Sequence, residues 1–190
     1  MLKLKDLRDY AIVFVNGKRV GTLDRRIAQD SMQIELPSGA VTLDIFVENM
    51  GRINFGPYLL QNKKGITEAV MLAGKELKNW KMYSMPFKTV PTFKAGGKVM
   101  ADQPVVRRGS FTLSSTGDTY LDMRSFGKGV VWVNGHNLGK YWSVGPQQTL
   151  YVPVEWLKKG SNEIVVFELL KTDANDIKGL EKPVLNEIRK

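Results

Sequence analysis

Cysteine is absent from the chain, which removes disulfides, thiolate chemistry and every cysteine-based zinc site. Histidine occurs once, at His136. One imidazole is too few for a His-rich metal centre, and a nucleophile–histidine triad would rest on it alone. No run of about 18 apolar residues occurs, so no transmembrane helix is expected. The N-terminus has no basic-then-apolar leader. Helical periodicity is also scarce: Glu155–Lys159 suits one short turn and the tail from Asp173 another. Phosphate-binding glycine loops, EF-hand spacing and HExxH are missing. Cofactors and metals are therefore expected to be none.

The chain has 190 residues, 43% of them hydrophobic and 25% charged. That is an ordinary globular composition with room for one or two domains. The net charge of +9 invites a nucleic-acid reading, but the basic pairs Arg25-Arg26, Lys63-Lys64, Arg107-Arg108 and Lys158-Lys159 sit far apart. A nucleic-acid binder concentrates charge on one face among base-stacking aromatics. A solvated basic surface, with neither nucleic acid nor membrane as partner, is the better reading.

Short β-branched and aromatic runs dominate: Ala11–Val15, Val41–Val47, Val130–Val133, Thr149–Val152 and Glu163–Leu169. Asn-Gly, Gly-Lys and Ser-Gly punctuate them, which predicts an all-β fold. Two of the runs are copies. VFVNGKRVG at 13–21 and VWVNGHNLG at 131–139 share five of nine residues, 118 positions apart. Asn-Gly suits a type I′ hairpin, whose central residues need positive φ. SGAVTLDIFVEN at 38–49 then resembles KGSNEIVVFELL at 159–170. Matching Glu48 to Glu168 sets an offset of 120 there. A duplicated sandwich or jelly roll follows, with units at 1–90 and 91–190 and Pro86, Pro91, Pro104 and Gly96-Gly97 near the boundary. Upstream of its hairpin the first copy is short. Leu2–Lys5 can match Thr119–Met123, but nothing matches Ser110–Leu113. The first unit is thus expected to be N-terminally incomplete, with an open sheet edge near Leu2–Leu4.

RDYAIVFVNGKRVGTLDR (8–25), VENMGRINFG (47–56), KGIT (64–67) and WVNGHNLGKYWSVGPQQTLYVPVEWLKKGSNEIVVFE (132–168) resemble the C-terminal β-domains of glycoside hydrolase family 35 β-galactosidases. The resemblance covers almost the whole chain. It implies two galactose-binding-like jelly rolls that follow a catalytic (β/α) barrel, in a whole protein that is secreted or periplasmic. It also implies that both catalytic glutamates lie on the barrel. Retaining hydrolysis needs two carboxyls about 5–5.5 Å apart, and Glu35, Glu48, Glu155, Glu163 and Glu168 form no matched pair. The chain alone is expected to be inactive. Its function would be that of a non-catalytic portion that braces the barrel and shapes its rim. The alternative is a stand-alone carbohydrate-binding module taking β-galactosides.

Two glycines enclose Arg52, Asn54 and Phe55 in GRINFG (51–56). Glycine permits positive φ and asparagine bonds nearby backbone, so a tight loop suffices as an explanation. The resemblance turns this loop toward the barrel. Its aromatic position, often tyrosine in the family, then approaches the galactose pocket, where Phe55 can stack but cannot donate a hydroxyl. Arg52 and Asn54 are assigned interdomain or structural roles. In the second copy Trp132 matches Phe14 and reads as core, whereas Tyr141 and Trp142, beside Ser143–Gly145, are the surface candidates for a sugar platform. His136 matches Lys18 and reads as a solvent-facing turn residue.

Overall fold

A computed structural model describes residues 1–94, 96–97, 99–174 and 176–185. The chain divides into two compact units, Met1–Tyr83 and Ser84–Lys190. Residues 84–90, placed with the first copy on sequence, fall in the second. The Phe87 ring packs at 5.8 Å from Trp132 and 5.1 Å from Phe167, both of that unit.

The first unit contains β1 (Leu2–Leu4), β2 (Leu7–Arg8), β3 (Tyr10–Val15), β4 (Lys18–Asp24), β5 (Ser31–Met32), β6 (Leu43–Glu48), β7 (Gly65–Ile66), β8 (Val70–Leu72) and β9 (Lys75–Leu77). One sheet has the order β5-β1-β8-β9 and another β4-β3-β6, while β2 pairs with β7. Leu2 and Leu4 from the first sheet meet Ala11, Val13, Val15 and Leu23 from the second. Those residues alternate along their strands, as side chains on one face of a pleated strand must.

The second unit contains β10 (Val105–Leu113), β11 (Thr119–Asp122), β12 (Lys128–Val133), β13 (His136–Trp142), β14 (Thr149–Val152), β15 (Gly160–Glu168) and β16 (Lys178–Leu180). Its sheets run β10-β15-β12-β13 and β14-β11-β16. Val131, Val133 and Val166 from one sheet pack on Leu121, Leu150 and Val152 from the other. The short turn expected at Glu155–Lys159 is a 3-10 turn at Val154–Trp156. The helical turn expected in the tail is instead β16, which completes a sheet; residues 186–190 lie outside the described residues.

The duplication is visible strand by strand. The trio β4-β3-β6 matches β13-β12-β15, and β5-β1-β8 matches β14-β11-β16. Both hairpins carry a register shift at the same place, Val13/Phe14 and Val131/Trp132. Both turns have positive φ, 49° and 75° at Asn16-Gly17 and 48° and 84° at Asn134-Gly135. Each asparagine also reaches the third strand. Thr42 N donates to Asn16 Oδ1 at 2.8 Å, and Glu163 N donates to Asn134 Oδ1 at 2.9 Å.

Two expectations are corrected. The edge expected at Leu2–Leu4 does not exist, because β1 is flanked by β5 and β8. Its two leucines are fully buried, and so short a strand could not hold them there from a sheet edge. The match of Glu48 with Glu168 is also out of register. Ala11 pairs with Val47 and Tyr10 with Glu48, whereas Gly129 pairs with Glu168. Ala11 and Gly129 are equivalent, so Glu168 takes the place of Val47. A one-residue slip turns a side chain to the opposite face of a sheet.

Candidate functional site

The segment after β6 is an exposed apolar stretch of the first unit. Phe55 is 89% and Leu60 94% solvent-exposed, with Ile53, Tyr58 and Leu59 exposed beside them. Gly51 and Gly56 adopt φ of 109° and 102°, a region that side-chain-bearing residues rarely enter. The base of this loop is tied down. Asp9, nearly buried, accepts from Met50 N at 3.0 Å, Lys64 Nζ at 2.6 Å and Arg25 Nη1 at 3.2 Å. One carboxylate thus holds both ends of the loop. Burial pushes the Asp9 carboxyl up, but the Lys64 hydrogen bond, the Met50 N–H, the Lys64 charge and the Arg25 hydrogen bond outweigh it. Its pKa therefore lies below the usual carboxylate range. Buried Asn62 accepts from Ile53 N at 3.3 Å, and Asn49 from Gly51 N at 2.7 Å.

Phe55, Arg52 and Asn54 all sit on the exposed rim of this loop. Among the described residues neither Arg52 nor Asn54 has a hydrogen-bond partner. The backbone-bonding role expected of Asn54 falls to Asn49 and Asn62. Asp9 and Asn62 were not found from the sequence, because they act across 41 and 9 positions and stand in no motif.

In the second unit the structure separates the two surface candidates. Tyr141 is not on the surface: it is 1% exposed, and its hydroxyl donates to Glu168 Oε2 at 2.8 Å. Burial, with the Glu168 charge beside it, pushes the phenol far above its ordinary range. Trp142, one residue on, faces the other way and is half-buried. One face of its indole is covered by Lys128, whose Nζ lies 3.6 Å from the ring centroid. Trp132 is fully buried, as expected. His136, expected in the turn, is the exposed first residue of β13 and stacks on Trp156 at 4.7 Å.

Glu168, also 1% exposed, is committed to backbone. Oε1 accepts from Lys128 N (3.2 Å), Leu170 N (2.7 Å) and Lys171 N (3.0 Å), and Oε2 from Gly127 N at 2.9 Å. With Tyr141 that makes five donors on one carboxylate.

Two family models match the chain. "Beta-galactosidase, first all-beta domain" covers residues 1–86, and "Beta-galactosidase, galactose-binding domain" covers residues 104–162. The chain belongs to these β-galactosidase β-domain families. A β-galactosidase of Xanthomonas manihotis is 40% identical over 151 residues, which is 80% of this chain but 25% of the relative. Human beta-galactosidase-1-like protein 2 is 37% identical over 85% of this chain and 26% of its own length. Beta-galactosidase 1 of Dictyostelium discoideum is 34% identical over 90% of this chain and 29% of its own length. The chain thus spans about a quarter of the length of the curated relatives it matches.

Within these β-galactosidase β-domains the five candidate glutamates have separate fates. Glu168 serves the backbone, Glu163 pairs with Arg108 at 3.1 Å, Glu48 is buried in β6, and Glu35 and Glu155 are exposed.

Proposed function

We propose that the chain is the non-catalytic β-domain portion of a β-galactosidase and that its first unit braces the catalytic barrel and shapes its rim. The loop at 50–62 is the observation that carries this reading. Its base is pinned by Asp9, Asn49 and Asn62, yet its tip offers Phe55, Tyr58 and Leu60 to water. Fully burying an aromatic or leucine side chain gains about 1.5–3 kcal/mol. A cluster of such groups rimmed by Arg52 and Asn54 is the composition of an interaction surface. Arg52, with its rigid fork of donors, suits a carboxylate or carbonyl on the partner.

The test uses the Xanthomonas manihotis relative with its matching segment replaced by this chain. Phe55→Ala and Leu60→Ala should lower its melting temperature, with little change in kcat on a chromogenic β-galactoside. Phe55→Ala should also raise KM modestly. Unchanged stability and kinetics in both variants would refute the bracing role. The isolated chain should not hydrolyse the substrate; turnover abolished by mutating one of its own glutamates would refute the reading as a whole.

A second reading, a carbohydrate-binding module, draws on the description of the family model matching 104–162 and on a groove in the second unit. This cavity of about 540 Å³ lies between the sheets and is lined by Phe111, Thr112, Thr119, Ile164, Asp176 and Ile177. Its size suits a small sugar. Galactose titrated to millimolar concentration should then shift the NMR signals of these residues or of Trp142. Silence at both leaves bracing as the role of this unit.

A further inference from the structure

The two Asn-Gly turns share a backbone but hold their carboxamides differently. Asparagine before glycine is prone to attack by the following backbone nitrogen, because glycine has no Cβ to keep that nitrogen away from the side-chain carbonyl carbon. The pair occurs twice, at Asn16-Gly17 and Asn134-Gly135. Both asparagines are left-handed, with φ of 49° and 48°. Both side-chain oxygens accept from the third strand, Asn16 from Thr42 N at 2.8 Å and Asn134 from Glu163 N at 2.9 Å.

The amide nitrogens differ. Asn134 Nδ2 donates to Trp156 O at 2.7 Å and to Asn162 Oδ1 at 2.8 Å. Asn162 is itself fully buried, and its own amide is fixed by Lys158 O and Gly160 O. Among the described residues Asn16 Nδ2 has no partner. Asn16 is also exposed, whereas Asn134 is half-buried.

We propose that Asn16 is a site of spontaneous deamidation and that the repeat protects its counterpart Asn134. The Gly17 nitrogen gives up its proton and bonds to Asn16 Cγ. The Cγ–Nδ2 bond breaks, and the amide leaves as ammonia, which carries that proton away. Water then opens the cyclic succinimide at one of its two carbonyls, giving aspartate or isoaspartate. Water is the only co-reactant. To reach the attacking nitrogen, the carboxamide must swing out of its hydrogen bonds: one at Asn16, three at Asn134. Two further bonds at about fivefold each make the second site roughly twenty-five-fold slower.

The products are also received differently. Aspartate at position 16 still accepts from Thr42 N, now as a charge-assisted bond. Aspartate at position 134 would set a carboxylate oxygen against Trp156 O and Asn162 Oδ1, two acceptors with no proton between them. Isoaspartate lengthens the main chain by one carbon, which a two-residue type I′ turn does not accommodate.

The experiment incubates the intact chain in warm, mildly alkaline heavy-oxygen water, then digests it with trypsin in ordinary water. Mass spectrometry follows the peptides 9–18 and 129–140, where incorporated heavy oxygen marks conversion during the incubation. Asn16 should convert at least tenfold faster than Asn134. In concentrated urea, where both turns are lost, the two rates should agree within about twofold. Equal rates in the folded chain would overturn the proposal, as would no conversion at Asn16 under conditions that convert it in urea. A preference that persists in urea would assign the difference to neighbouring sequence and overturn the role of the hydrogen bonds. Asn16→Asp should leave the urea midpoint of the first unit, followed by amide NMR signals, unchanged, while Asn134→Asp should lower that of the second unit or unfold it. Equal losses in both units would overturn the assigned tolerance.

Discussion

Glu168→Gln is the sharpest probe of how the second unit is held together. The carboxylate is buried and meets five donors, four of them backbone N–H groups. Glutamine keeps the shape but turns one acceptor into a donor. Its amide nitrogen fits best at the Oε2 position, where the Tyr141 hydroxyl can rotate to accept. Gly127 N–H then faces another donor and has no acceptor. A buried, unsatisfied N–H costs about 1–3 kcal/mol. For a unit of this size each kcal/mol moves Tm by about 4–8 °C, so a loss of roughly 2 kcal/mol should lower Tm by about 8–16 °C. Glu168→Ala orphans all four N–H groups, at about 4–12 kcal/mol, which rivals the ~5–15 kcal/mol that holds a domain. That variant should leave the second unit unfolded at room temperature. Tyr141→Phe removes one donor of five and should cost about 1–2 kcal/mol. Trp132, Trp142 and Trp156 lie in this unit and only Trp80 in the other, so urea titration followed by tryptophan emission reports mainly on the second unit. A Glu168→Gln midpoint within about 0.5 kcal/mol of the parent would refute the argument.

Gly129→Ala should destabilise the same unit by ~3 kcal/mol or more, because a Cβ there would lie 1.8 Å from Phe167 O and 2.6 Å from Tyr141 Oη; calorimetry showing an unchanged second unit would contradict this. Asn134→Ala should cost more than Asn16→Ala in urea melts, roughly 2–3 against 1 kcal/mol. Asn134 bonds Trp156 O, Asn162 Oδ1 and Glu163 N, whereas Asn16 offers its side chain to Thr42 N. The depressed pKa of Asp9 adds stability to the first unit that is fully present above the ordinary aspartate range, near pH 4, and is lost as pH falls through its lower folded value. The protection of the 50–62 loop amides, taken relative to their intrinsic exchange rates, should therefore fall at acid pH, and Asp9→Asn should remove that pH dependence.

What the sequence made legible follows the range of the forces involved. The Asn-Gly hairpins could be read directly, since turn chemistry resides in two adjacent residues. The offset between the third strands was misread because glutamate was matched to glutamate. Gly39 with Gly160 and Phe46 with Phe167 fit the true offset, two identities against the single one of the glutamates. Tyr141 and Trp142 could not both have been surface residues of a strand with one buried face, because neighbours on a strand point to opposite faces. That signal was available in the period of two. The anchoring of the 50–62 loop was not available, since Asp9, Arg25, Met50 and Lys64 meet only after β3 and β6 have paired.

The duplication also explains why the two units differ where they do. Asp9 stands at the position of Gly127, and Glu168 at the position of Val47. Met50 and Lys171 are likewise equivalent, and each gives its N–H to a carboxylate, Asp9 in one unit and Glu168 in the other. The same junction, where the chain leaves the third strand, is thus closed by an acid from opposite strands. The two solutions exclude each other sterically. A Cβ on Gly127 would come within 2.9 Å of Glu168 Oε1, so the unit that uses the glutamate must be bare where the other carries its aspartate. The consequences diverge from there. Glu168 points inward, takes the N–H of Leu170 as well as that of Lys171, and folds the following segment tightly onto its own unit. Asp9 takes one N–H and spends its remaining capacity on Lys64 and Arg25, which closes the two ends of a longer excursion and leaves the span between them free to project. The exposed Phe55 rim is therefore the outcome of which strand supplies one carboxylate.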